Sequence, residues 1–190
     1  MAMKTKQELK DVFNGLSSLL FQKTAVDLDS GSAIALVPDY DLPVTVDTLQ
    51  LTQDDPTINH YKVIGLDGDW TSSATLGDAT FQFVVPTKHT DVLKLAYGDD
   101  AVKENVQAKL DGFNYEGAAL TIKKKKVTGT FVLINEEKDQ IMIMSGVALW
   151  AKPLYENPGT DPFAIQFTGT IETDGNPNFA WLTKGEPVGD

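Results

Sequence analysis

Apolar and polar positions alternate most clearly from Thr80 to Val85, where Phe81, Phe83 and Val85 share one face at the two-residue period of a strand. Pro86 stops the ladder, a threonine can cap a helix begun just after it, and Gly98 can close that helix. The run therefore predicts a strand over Thr80–Val85 passing directly into a helix over about Lys88–Tyr97. Further strands are predicted at His60–Trp70, Ala118–Lys124, Val127–Ile134, Gln140–Trp150 and Phe163–Glu172. In the last of these, Phe163, Ile165, Phe167 and Ile171 alternate with polar residues, giving one apolar and one polar face. Burying one such Phe is worth roughly 1.5–3 kcal/mol, so the aromatic faces are expected to define the core. Asp67, Gly68 and Asp69 read as a turn, and Glu136–Asp139 as the tip of a hairpin.

Helical spacing appears in two other places. Thr5 followed by Glu8 matches a capping box, and Leu9, Val12, Phe13, Leu16, Leu19 and Leu20 recur at helical spacing, which predicts an amphipathic helix over about Lys6–Gln22. Its apolar stripe would pack on its own domain or on a neighbouring subunit. A second short helix is predicted over Ala101–Leu110, because Asp100 can cap it, Val102, Val106 and Leu110 align every four residues, and Gly112 lies just beyond. Pro38, Pro43 and Pro56 interrupt the stretch Pro38–Asn59, which reads as a long loop or projecting hairpin, lying on its own domain or serving as a reaching arm. Gly175–Asp190 reads as a loosely ordered tail.

Composition narrows the function classes. The 190 residues suit one large domain with room for a substantial core. Cysteine is absent, which removes disulfides, thiol nucleophiles and thiolate metal sites. All 16 basic residues are lysine, so the planar fork that grips phosphate and reads guanine is missing. With a formal net charge of −11, attraction to nucleic acid or to anionic membranes is not expected. No apolar run approaches the roughly 18 residues of a membrane span, and Lys6, Glu8, Lys10 and Asp11 interrupt any signal-peptide core. Synthesis in the cytoplasm is the expectation.

No grouping of side chains meets the requirements of a catalytic or metal site, and no cofactor site is expected. The two histidines, His60 and His89, fall in different elements without metal-ligand spacing, and they read as structural rather than as a ligand or a general base. Asp27, Asp29 and Ser30 before Gly31 resemble an oxygen-rich calcium loop but lack its third ligand before the glycine and its twelfth-position glutamate, so an ordinary turn is expected. Asp54–Asp55 and Asp99–Asp100 are adjacent pairs, whereas acid–base work needs carboxylates opposed across a cleft. Gly65, Gly68 and Gly77 are not followed by the residues of a phosphate loop. The run Lys123–Lys126 is read as strand-edge protection, or as a contact for an acidic partner surface. Trp70, Trp150, Trp181 and Tyr155 belong to the core, or form a stacking platform for carbohydrate or a cell-surface partner.

Gly68-Asp69-Trp70-Thr71, then Gly77-Asp78-Ala79-Thr80-Phe81-Gln82-Phe83, then Val85-Pro86-Thr87 and a helix closing on Tyr97-Gly98 form an order that resembles the tailed-bacteriophage major tail, or tail tube, proteins. The strand Phe163–Glu172 with Asp174-Gly175 after it is similar to how such proteins finish. The resemblance implies a mainly β fold, a β-sandwich or partly open barrel with a flanking α-helix, to which the N-terminal amphipathic helix is an unexpected addition. The chain then divides into an N-terminal helical extension (1–24), a β-domain (25–175) carrying the loop 38–59, and a tail (176–190). The resemblance further implies a non-enzymatic virion protein whose sheets join edge to edge into six-membered rings stacked as a tube, with other tail proteins as partners and DNA as passing cargo. A ring of six would carry a formal charge of −66, six times −11, and a lumen of that sign repels phosphate. The competing expectation is a β-sandwich binding module.

Overall fold

The computed structural model describes residues 10–45, 47–172 and 177–185. Its strands are β1 (Ser18–Gln22), β2 (Tyr40–Leu42), β3 (Gln50–Gln53), β4 (Thr57–Tyr61), β5 (Thr71–Thr75) and β6 (Ala79–Val85), followed by helix α1 (Thr90–Tyr97). After a 3-10 turn at Asp99–Ala101 come β7 (Val102–Leu110), β8 (Phe113–Leu120), β9 (Val127–Ile134), β10 (Gln140–Leu154), β11 (Ala164–Ile171) and β12 (Phe179–Thr183). The principal sheet is antiparallel, in the order β2-β1-β9-β10-β11-β6-β3. Two further hairpins, β4–β5 and β7–β8, stand outside it.

The mainly β expectation holds, and of its two forms the partly open barrel describes the sheet. Strands in a sheet lie about 4.8 Å apart, so β9 and β6, three steps from each other, would be roughly 14 Å apart if it were flat. Instead the Phe131 ring of β9 sits 5.3 Å from that of Phe81 and 5.6 Å from that of Phe83, both on β6. The sheet is therefore curled until the two inner faces touch. The free edges β2 and β3 are consecutive in the chain, and the connection between them crosses the seam. There Thr45 N donates to Val84 O at 2.9 Å, and Val84 N donates to Thr48 Oγ1 at 3.1 Å. These bonds satisfy part of the edge of β6 that β3 is too short to cover.

Strand β10 runs through both halves of the sheet. It pairs with β9 along one side, while its other side takes β12 at Gln140–Met144 and β11 at Val147–Leu154. A bulge between Met144 and Val147 separates the halves, with Gly146 at φ +71. Pro153 lies where β10 has run past the end of β9, an edge where its missing N–H is tolerated. Helix α1 closes the core with Val92, Leu93, Leu95, Ala96 and Tyr97, all buried. Its N-cap is His89 rather than a threonine: His89 Nδ1 accepts from Asp91 N at 3.3 Å, while Thr87 Oγ1 accepts from His89 N at 3.0 Å. Gly98 ends the helix as expected, at φ +105, donating its N–H to Lys94 O.

Several expectations are corrected. Of the helix expected over Lys6–Gln22, residues 6–9 lie outside the described residues. Lys10–Ser17 has no regular structure, and Ser18–Gln22 is strand β1, whose Leu19 and Phe21 alternate into the core against β9. Residues 18–22 thus belong to the β-domain and not to an N-terminal extension. The helix over Ala101–Leu110 is strand β7, turned back by Asp111 and Gly112 at φ +49 and +83. His60–Trp70 is not one strand, since β4 ends at Tyr61 and β5 begins at Thr71. Phe179–Thr183 of the expected tail is β12, paired with β10. Residues 38–45 and 47–53 lie on their own domain as β2, β3 and the seam crossing, so the projecting feature is β4–β5.

Candidate assembly surfaces

The hairpin β7–β8 is a two-sided ribbon. On one face the register pairs Val106 with Gly117, Ala108 with Tyr115, and Leu110 with Phe113; on the other it pairs Gln107 with Glu116 and Lys109 with Asn114. The base of the ribbon, at Glu104, Glu116 and Ala118, borders an open groove shared with Lys88 and His89 at the start of α1 and with Phe163. Beyond the half-buried Val106 the apolar face is in solvent, and Leu110, Phe113 and Tyr115 are 60%, 69% and 52% exposed. A free two-stranded ribbon is marginal in water, and this one is held at its base. Val102 is buried, Thr121 N donates to Ala101 O at 2.8 Å, and Lys94 Nζ donates to Glu104 Oε1 at 2.6 Å. That last bond, with the charges it joins, holds the Glu104 carboxyl below its ordinary range and raises the Lys94 ammonium above its own.

The second projection, β4–β5, is exposed along both strands. Its nine-residue tip carries Ile64, Leu66 and Trp70 into solvent. His60 Nδ1 meets Asp69 Oδ2 at 2.5 Å and Trp70 N donates to Tyr61 O at 2.7 Å, closing the loop at its neck. A third surface is the outer edge of β12, which contains no charged residue. Trp181 and Leu182 are exposed there, and Trp181 stacks on Phe179 with centroids 5.7 Å apart. By contrast, the edge strands β2 and β3 are short and flanked by Pro43 and by Asp54, Asp55 and Pro56, features that discourage unwanted pairing.

The candidates singled out in the sequence are dispersed. His60 sits at the neck of β4–β5 and His89 caps α1, so the two histidines occupy separate sites. Asp27 Oδ1 accepts from Asp29 N at 2.9 Å and Ser30 Oγ accepts from Ser32 N, which makes this stretch a pair of side-chain turns. Asp54 N donates to Asp78 O, Gly77 packs against Asp54, and Gly65 and Gly68 shape the tip of β4–β5. Among the described residues no three His, Asp or Glu side chains converge as metal ligands would.

Lys123–Lys126 lies in a connecting segment, not in an edge strand. Lys123 pairs with Asp100, lowering that carboxyl's pKa; Lys125 donates to Lys94 O near the C-terminal end of α1, where the helix dipole favours a cation; and Lys126 pairs with Glu172. The run therefore tethers the helix and β11 to the strand β9 that follows it. Trp70 belongs to β4–β5, while Trp181 pairs opposite Met142, eight residues along β10 from Trp150. At strand rise that is about 26 Å, so the four aromatics do not form one platform. Leu110, Phe113 and Tyr115 were not anticipated as a surface. Their signal was Asp111-Gly112, a hairpin turn dipeptide between two alternating runs.

Comparison of the sequence with protein-family models and with curated proteins finds no match. Among the described residues no helix is long and apolar enough to cross a membrane.

Proposed function

We propose that this chain is a structural subunit that assembles with copies of itself, in the manner of the tail tube proteins that its Gly65–Gly98 stretch resembles. The observation that carries the reading is the β7–β8 ribbon: an anchored, amphipathic pair of strands whose large apolar side chains Leu110, Phe113 and Tyr115 are exposed. Large exposed apolar surface on a soluble domain marks an interaction site. The uncharged β12 edge adds a second surface of the same kind, a row of backbone groups suited to pairing with another strand. In the proposed assembly, rings of six stack into a tube within a phage tail, joined by other tail proteins, and an acidic lumen lets DNA pass without adhering.

Electron microscopy and native mass measurement at rising concentration test this directly. Rings or tubes are expected from the intact chain. The double variant Phe113→Lys, Tyr115→Lys should remain monomeric with an unchanged melting temperature, because both side chains are already in water. A strict monomer of the unaltered chain at every concentration and salt overturns the reading.

A further inference from the structure

We propose that Asn14-Gly15 is a site of spontaneous deamidation, and that its modification loosens strand β1 from the sheet. The chain has eight asparagines, and Asn14 alone precedes a glycine. The reaction requires the backbone nitrogen of the next residue to attack the asparagine Cγ, and glycine, with no Cβ, leaves that approach open. Asn157 and Asn176 precede prolines, whose nitrogens carry no hydrogen. Asn135 is locked, because its Oδ1 accepts from Asp139 N and Gln140 N at 3.1 Å and its Nδ2 donates to Asp139 Oδ1 at 2.6 Å. Asn14 is exposed and lies in a segment without regular structure. Among the described residues, neither its side-chain amide nor the Gly15 N–H has a hydrogen-bond partner.

The glycine is required by the fold. Gly15 has φ +68, and a Cβ there would stand 2.8 Å from Glu136 Cβ and 2.9 Å from Glu136 Oε2. The close packing that admits only glycine thus places the labile dipeptide at this point. In the first step the Gly15 nitrogen loses its proton and bonds to Asn14 Cγ, the Cγ–Nδ2 bond breaks, and ammonia leaves, closing a succinimide. Water then opens either ring carbonyl, giving aspartate or isoaspartate, so that one water is consumed and one ammonia released.

Both products disturb the same junction. Residues 11–17 are fastened to the β9–β10 turn by three bonds: Gln140 Nε2 to Asp11 Oδ1 at 3.2 Å, Glu136 N to Asn14 O at 3.5 Å, and Ser17 N to Ile134 O at 2.8 Å. Asn14 also shares a small cleft with Glu136, Glu137 and Asp139, so a new carboxylate arrives among acids. Isoaspartate further inserts a methylene into the backbone four residues before β1 begins at Ser18.

The test is to incubate the full chain in mildly alkaline buffer and follow it by peptide mass mapping, ammonia release and isoaspartate detection, with Asn14→Gln as the unreactive control. Asn14 is expected to be half converted while the other seven asparagines remain intact. Amides of Leu19–Gln22 should then exchange faster in the converted chain than in the control. Conversion of Asn14 no faster than that of the other asparagines overturns the site. Conversion with unchanged exchange in β1 overturns the coupling to the strand.

Discussion

Phe131 touches three other phenylalanines, with ring centroids 4.8 Å from Phe21, 5.3 Å from Phe81 and 5.6 Å from Phe83. Two of those contacts cross the interior of the curled sheet rather than run along it, so this ring fixes the curvature as well as filling volume. Phe131→Ala is expected to lower unfolding stability by about 3–5 kcal/mol in urea titration, since the neighbours are themselves held by strands and can collapse only partly into the void. Tyr97 presents the opposite case. Its ring is buried but its hydroxyl has no hydrogen-bond partner in the described structure. An unpaired buried hydroxyl costs about 1–3 kcal/mol, so Tyr97→Phe should leave stability unchanged or raise it. Burial also raises the phenol pKa above its ordinary value. The unfolded chain therefore loses this proton at lower pH than the folded one, and stability falls as pH rises above about 10. Chemical denaturation of Tyr97→Phe across that range should show a shallower alkaline decline than the unaltered chain.

At the scale of elements, the sequence was legible where apolar residues alternate over a long, two-layered run. β6, β9, β10 and β11 were all anticipated, and the predicted limits of β9 coincide with the observed strand. It misled where a spacing fits both periods. Val102, Val106 and Leu110 recur every four residues, a step that returns to one side of a helix and also to one side of a strand. The Asp-Gly turn and the partner β8 decide for the strand, which no local periodicity could express. Leu16, Leu19 and Leu20, three and four residues apart, fit a helix and not a strand face, yet β9 recruits Leu19 and Phe21 from more than a hundred residues away. The ribbon surface was obscured for the same reason, because its apolar face exists only once β7 and β8 are paired. The junction of α1 with this ribbon is expected to respond to pH. Glu104 and Asp100 are held below their ordinary values by Lys94 and Lys123, so the unfolded chain binds these protons at higher pH. Their support is complete above the ordinary carboxylate range near pH 4 and is lost as pH falls through the folded values. Hydrogen exchange, corrected for intrinsic rate, should show β7–β8 opening below about pH 4 before the main sheet does, with a weaker effect in Glu104→Gln.

For the whole molecule, charge opposes the self-association proposed above. At −11 per chain, copies repel one another at low ionic strength, and salt shortens the range of that repulsion to about 8 Å near physiological strength. Sedimentation velocity should therefore show larger species as salt rises; larger species at low salt would mean that ion pairs, not apolar faces, hold copies together. The pairing of β1 with β9 bears on a different question, the order in which the molecule forms. Ser18 lies opposite Ile134, a separation of 116 residues, whereas β9 and β10 are joined by a short turn. Closing the long loop is entropically slow, and the local hairpin is fast. During synthesis β1 emerges early and must wait, with Leu19 and Phe21 uncovered, until the strand that receives it has been made. The first strand of the sheet thus cannot take its place until the ninth has been made, which leaves an apolar strand open to wrong partners in that interval.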